Sequence, residues 1–174
     1  WGTATNWSLT DGGGATGAVP TAADTANFTN LSGNCTTNVA AVCAVLNFSS
    51  YTNTITMTNN IVVSGDVTLG ASMGIAGTGL LVPNATGTLT SNGKIWTNGL
   101  NLRGATSTFT LADNWVVGGN LLIGAAAEVI VVNSLSFTIT TLGNFTTGTT
   151  ATITGTAQII LGGTGTWSTT GAIR

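Results

Sequence analysis

Histidine is absent from the 174 residues, and only eight side chains carry a formal charge at neutral pH, three of them Lys or Arg and five Asp or Glu. Without an imidazole, the usual general base, the Ser-His-Asp arrangement and the commonest metal ligand are all missing. The three cations, Lys94, Arg103 and Arg174, form no cluster, and a net charge of −2 cannot neutralise a row of phosphates, so nucleic acid is excluded as a partner. Apolar runs are short. The run at 129–132 falls far below the ~18 residues a membrane-spanning helix needs, and no signal-peptide pattern is present. The chain opens on Trp1 rather than Met, which points to a processed product or to part of something longer.

Helical periodicity is also lacking. No window repeats apolar residues every 3.6 positions with caps at its ends, and the abundant Thr, Val and Gly are poor helix formers. What the chain has instead is Thr, Asn, Ser and Gly, so its surface is hydrated by hydroxyls and amides rather than by charges. Its richness in Val, Ile and Thr argues against disorder and for an all-β protein of one domain.

The strongest pattern is a repeat. Residues 46–71, LNFSSYTNTITMTNNIVVSGDVTLGA, return 54 positions later as 100–125, LNLRGATSTFTLADNWVVGGNLLIGA, with 11 of 26 positions identical. Elsewhere polarity is kept: Ile55 becomes Phe109, Met57 becomes Leu111, Ile61 becomes Trp115 and Val67 becomes Leu121. Strand-like pieces with period-two alternation, such as Thr54-Ile55-Thr56-Met57 and Thr108-Phe109-Thr110-Leu111, are separated by turn pairs such as Asn59-Asn60, Asn92-Gly93 and Asn98-Gly99.

A long internal repeat favours a right-handed parallel β-solenoid over 29–174, with 54 residues making three coils of about 18 or two of about 27. Eight or nine coils at the ~4.8 Å strand spacing would make a rod of roughly 40 Å. The alternative is an antiparallel β-sandwich of hairpins, which the Asn-Gly pairs would suit. Residues 1–28 differ from the rest, with Trp1, Trp7 and a Gly-rich tract at 11–17, and are expected to cap the open first coil with their aromatics.

Candidate chemistry is sparse. Glycoside hydrolysis or elimination on a β-helix needs two carboxylates, or a carboxylate and Arg103, within a few ångströms in a groove. Of the five acids, Asp66 aligns with Asn120 and Asp113 with Asn59, the exchange expected of turn residues. Glu128 aligns with Gly74 and is expected on an exposed bend without a basic partner. No Asp-x-Asx-x-Asx spacing supports a Ca²⁺ loop around Asp24 or Asp66, so no catalytic, cofactor or metal residue is assigned. Cys35 and Cys43 have no counterparts in the second copy, where Leu89 and Thr97 stand. Two readings stay open: a disulfide across a turn at 36–42, or two buried thiols. Trp96, Trp115 and Trp167 could stack on sugars, but Trp115 replaces Ile61, which favours the core. Seven Asn-x-Ser/Thr sequons, at Asn6, Asn27, Asn30, Asn34, Asn47, Asn84 and Asn144, follow from a composition rich in Asn and Thr.

The lead Asn6-Trp7-Ser8-Leu9, the Gly tract, Val19-Pro20-Thr21-Ala22-Ala23-Asp24, Phe28 and the later Leu89-Thr90-Ser91-Asn92-Gly93-Lys94 together resemble a group of Trp-led, Gly/Thr/Asn-rich β-solenoid repeat proteins of bacteriophage virions and bacterial surfaces. The resemblance implies a fibre, tail or adhesin module and carries over no catalytic residue. The expectation is therefore a non-enzymatic structural module of an extracellular assembly, most readily a phage virion. Its partners would be other copies of itself, other structural subunits or host-surface glycans. The alternatives are a bacterial cell-surface adhesin, marked by a line of exposed Trp side chains, and a polysaccharide-degrading β-helix enzyme.

Overall fold

Inward apolar residues alternating with outward polar ones make short strands, and the turn pairs between them make frequent corners. The computed structural model describes residues 1–174 apart from 12, 15–17, 126, 135, 149–151, 170, 171 and 174, so Arg174 and most of the 11–17 tract lie outside the described residues. Among the described residues there are 22 strands of two to six residues. Among the described residues there is no α-helix, and one 3-10 turn occupies Ala4–Asn6.

All strand pairings among the described residues are parallel, which removes the antiparallel sandwich and establishes the β-solenoid. The coil has three faces. The first is an eight-stranded sheet of Thr25–Asn27, Val45–Asn47, Val67–Thr68, Gly87–Thr90, Thr106–Leu111, Val129–Asn133, Thr152–Thr154 and Ala172–Ile173. The second is split into two sheets, one of Cys35–Thr36, Thr54–Met57 and Gly74–Gly77, the other of Ile95–Trp96, Trp115–Val117, Thr138–Thr141 and Gln158–Leu161. The third is a seven-stranded sheet of Ala41–Cys43, Ile61–Val63, Leu81–Pro83, Leu100–Leu102, Leu121–Ile123, Phe145–Thr147 and Trp167–Ser168. Thr25–Asn27, within the lead segment, is already the first rung of the first face.

Paired residues in successive coils lie from 19 positions apart, as Leu81 and Leu100, to 24, as Trp115 and Ile139. This corrects the expected coil of about 18 or 27 residues, and the seven rungs of the third face correct the expected eight or nine coils, giving a rod of about 30 Å. The reason lies in the repeat itself. Leu46 is on the first face and Leu100 on the third, Ile55 on the second and Phe109 on the first, Ile61 on the third and Trp115 on the second. The 54-residue repeat spans eight strands, or two and two-thirds turns, so it matches face to face with a shift of one face.

The inward positions of all three faces form one core. Leu46, Ile55, Ile61, Val67, Leu81, Leu89, Leu100, Phe109, Trp115, Leu121 and Phe145 are buried throughout, each aliphatic one worth about 1.5–3 kcal/mol of transfer free energy. Hydroxyls complete the corners. Buried Thr37 donates to Asn59 O at 2.8 Å, Ser91 to Asn114 O at 2.8 Å and Thr141 to Gly119 O at 3.1 Å, so carbonyls that the ladders miss at the bends are still paired.

Candidate functional site

Side-chain amides and carboxylates do their work between coils. Asn34 Oδ1 accepts Thr54 N–H at 3.0 Å, Asn60 Oδ1 accepts Leu80 N–H at 2.9 Å, Asp66 Oδ1 accepts Thr88 N–H at 2.7 Å and Asn114 Oδ1 accepts Thr138 N–H at 2.9 Å. At one corner the contacts run in series, Asn120 Oδ1 accepting Asn144 N–H and Asn144 Oδ1 accepting Thr166 N–H, both at 2.9 Å. Each bridges one coil to the next where the backbone leaves its strand. Asp113 instead reaches back one coil, taking the N–H groups of Ser91 at 2.7 Å and Asn92 at 2.6 Å. Asn92, at φ 51°, needs that support in a left-handed conformation. The sequon residues Asn27 and Asn47 also pair with each other across coils, at 2.9 Å.

Of the two acids of the N-terminal segment, Asp24 serves a local turn and Asp11 ties the lead to Thr29. Asp24 accepts the N–H of Thr21 at 2.9 Å and its hydroxyl at 2.6 Å, and the hydroxyl bond above all holds its carboxyl below the usual range. Asp11 accepts the Thr29 hydroxyl at 2.6 Å.

Glu128 departs from its expected isolation. Arg103 Nε lies 3.1 Å from both of its carboxylate oxygens, the only salt bridge among the described residues, and the Glu128 side chain is 14% exposed. The Glu128 carboxylate is also held locally, Ala125 N–H donating to Glu128 Oε2 at 2.6 Å. Arg103 is fixed from the other side, its N–H donating to Pro83 O at 2.8 Å. The pair borders a groove of about 290 Å³ lined by Val62, Val82, Asn84, Arg103, Gly104 and Glu128. Gly104 has φ 123°, and a Cβ there would lie 2.6 Å from Asn84 O, so only glycine lets the backbone pass this close. Sequence reading missed this pair because the two residues are 25 apart. Coils of 21 to 24 residues would have placed them at one corner on adjacent rungs.

The remaining candidates fall in the core or the lead. Cys35 and Cys43 are free thiols on the second and third faces of one coil, and burial pushes the Cys43 thiol up to about 12 and the Cys35 thiol up as well. Trp96 and Trp115 are fully buried, whereas Trp167 is 47% exposed on the last coil, its ring 4.6 Å from Phe145. Trp1 is buried. It packs edge-on to Trp7 at 4.9 Å, Trp7 packs on Phe28 at 5.5 Å, and Phe28 stacks on Phe48 at 4.6 Å, so an aromatic column runs from the lead into the first coils. A larger cavity, about 840 Å³, opens beside this column and includes Trp7, Asp11, Asp24 and Asn34 in its lining. No three His, Cys, Asp or Glu side chains converge among the described residues.

No family model, no curated protein and no solved structure matches the chain.

Proposed function

We propose that the chain is a non-enzymatic structural module of an extracellular assembly, a surface, tail or fibre component of a phage virion. The observation that carries this reading is the commitment of Asn34, Asn60, Asp66, Asn114, Asn120 and Asn144 to backbone N–H groups of the next coil. The polar side chains most able to do chemistry hold the stack together. Such a rod has its hydrogen bonds along its axis, and with 5% charged residues it is insensitive to salt.

A bacterial cell-surface adhesin is the second reading. Its expected mark, a line of exposed Trp side chains, has little support, since Trp96 and Trp115 are both core residues. The enzyme reading is the third: its expected mark of a carboxylate and Arg103 together in a groove is present at Arg103 and Glu128, 3.1 Å apart, while the two-carboxylate arrangement of glycoside hydrolysis is not, since that lining holds one carboxylate.

Mass spectrometry of purified virions against cell-envelope fractions tests the proposal. The chain is expected among the virion proteins, and its absence there together with recovery from the envelope would replace the first reading with the second.

A further inference from the structure

We propose that the groove at the corner between the third and first faces, floored by Val62 and Val82 and rimmed by Asn84, Arg103 and Glu128, binds one uncharged hexose ring of a glycan. The size sets the first limit. At about 290 Å³ it sits at the lower edge of the ~300–1,000 Å³ typical of small-molecule sites, so it holds a single ring rather than a buried chain.

The chemistry of the lining sets the second. Arg103 uses only Nε on Glu128, and among the described residues no acceptor pairs its terminal Nη nitrogens. Asn84 is exposed and its side-chain amide has no partner among the described residues, leaving a donor and an acceptor together. The Glu128 carboxylate keeps lone pairs beyond those taken by Arg103 and Ala125. Neighbouring hydroxyls, which donate and accept at once, match such a mixed rim, and the valine methyls offer an apolar surface to the C–H side of a sugar ring.

Other ligand classes fit less well. An anion would meet a guanidinium that Glu128 already neutralises, and a divalent cation would find one carboxylate. Two of the three rim side chains are held in advance of any ligand, by the Arg103–Glu128 ion pair and by Ala125 N–H to Glu128, so ordering on binding falls mainly on Asn84.

Saturation-transfer NMR on the whole chain, with methyl glucoside, galactoside and mannoside as probes and methyl glucuronide as the anionic analogue, tests the assignment. Transfer is expected from at least one neutral hexoside. It should fall about fivefold or more in Arg103→Met and in Asn84→Ala, the loss of one or more hydrogen bonds, and persist in Lys94→Met. Should Arg103→Met fail to fold by circular dichroism, Asn84→Ala decides alone, because it removes an exposed side chain with no partner among the described residues. No transfer from any neutral hexoside, transfer unchanged in both groove variants, or stronger transfer from the glucuronide would each overturn the proposal. The measurement uses isolated chain, so its failure is separate from a failure to find the chain in virions.

Discussion

Asp66 Oδ1 accepts the backbone N–H of Thr88 one coil on, at 2.7 Å, and Asn120 Oδ1, at the aligned position of the repeat, accepts that of Asn144 at 2.9 Å. The two positions exchange Asp for Asn because the acceptor oxygen is all that the contact needs. Asp66→Asn is therefore expected to change stability by less than about 0.5 kcal/mol, whereas Asp66→Ala, which leaves Thr88 N–H without this acceptor, should cost about 1 kcal/mol. Urea denaturation of the two variants side by side makes the comparison.

The two fully buried tryptophans should respond differently to removal of the indole N–H. Trp96 Nε1 donates to Gly99 O at 3.1 Å, while Trp115 Nε1 is buried with no acceptor among the described residues. Both Trp→Phe variants lose contact area, but only Trp96→Phe loses a hydrogen bond, so it should be the more destabilising by about 1 kcal/mol. Equal losses in denaturant midpoints would show that Trp115 is satisfied in solution.

Tyr51 is the one tyrosine of the chain, which makes its ionisation readable by ultraviolet absorbance. Its hydroxyl donates into a cage formed by Gly33 O and Thr54 O, both 2.9 Å away, and burial pushes its pKa up to about 12 from 10.0. Because the folded value is the higher, the stability it contributes is complete below pH 10 and lost as pH rises towards 12. A spectroscopic midpoint near 10 in the native protein would contradict the burial.

Asp24 titrates in the opposite sense. Its carboxyl lies below the ordinary 3.8 through the Thr21 hydroxyl and N–H, so its contribution is present above pH 3.8 and disappears as pH falls through the lowered value. Carbon NMR titration should place the Asp24 midpoint under 3.8, and Thr21→Val should move it back upward.

Burial orders the two thiols. Cys43 is fully buried with a thiol near 12, while Cys35 is half-buried with a smaller upward push. Native protein at pH 8 should alkylate at Cys35 before Cys43, and both should react far more slowly than in denaturant, as followed by mass spectrometry.

The fold class was legible because alternation at Thr54–Met57 and Thr106–Leu111 reports an inward and an outward side whatever the neighbours are. The coil length was not. Inward slots on the three faces of one core accept the same residues, so Ile55 on the second face and Phe109 on the first read as equivalent although they stand on different walls. A repeat counted in faces therefore reads, in the sequence, like one counted in turns. At the sites, the interchange of Asx residues and the replacement of Ile61 by Trp115 were readable, because a second copy supplied the comparison. Arg103 and Glu128 align with Ser49 and Gly74, so the repeat carried no trace of their contact.

The split second face has a mechanical meaning. Between Gly74–Gly77 and Ile95–Trp96 no strand pairing joins the two sheets, while the first and third faces run unbroken past that level. Gly77, at φ 88°, turns the chain away from the ladder on one side, and the Ser91 to Lys94 turn delays the next strand on the other. A pull along the rod axis is borne by hydrogen bonds in series. Two walls carry backbone ladders across that level where three do elsewhere, and on the second face side-chain bonds from Thr97 Oγ1 to Ile75 O at 3.4 Å and from Asn98 Nδ2 to Gly79 O at 3.1 Å stand in for the third, so under tension the second face is expected to open there before the other two.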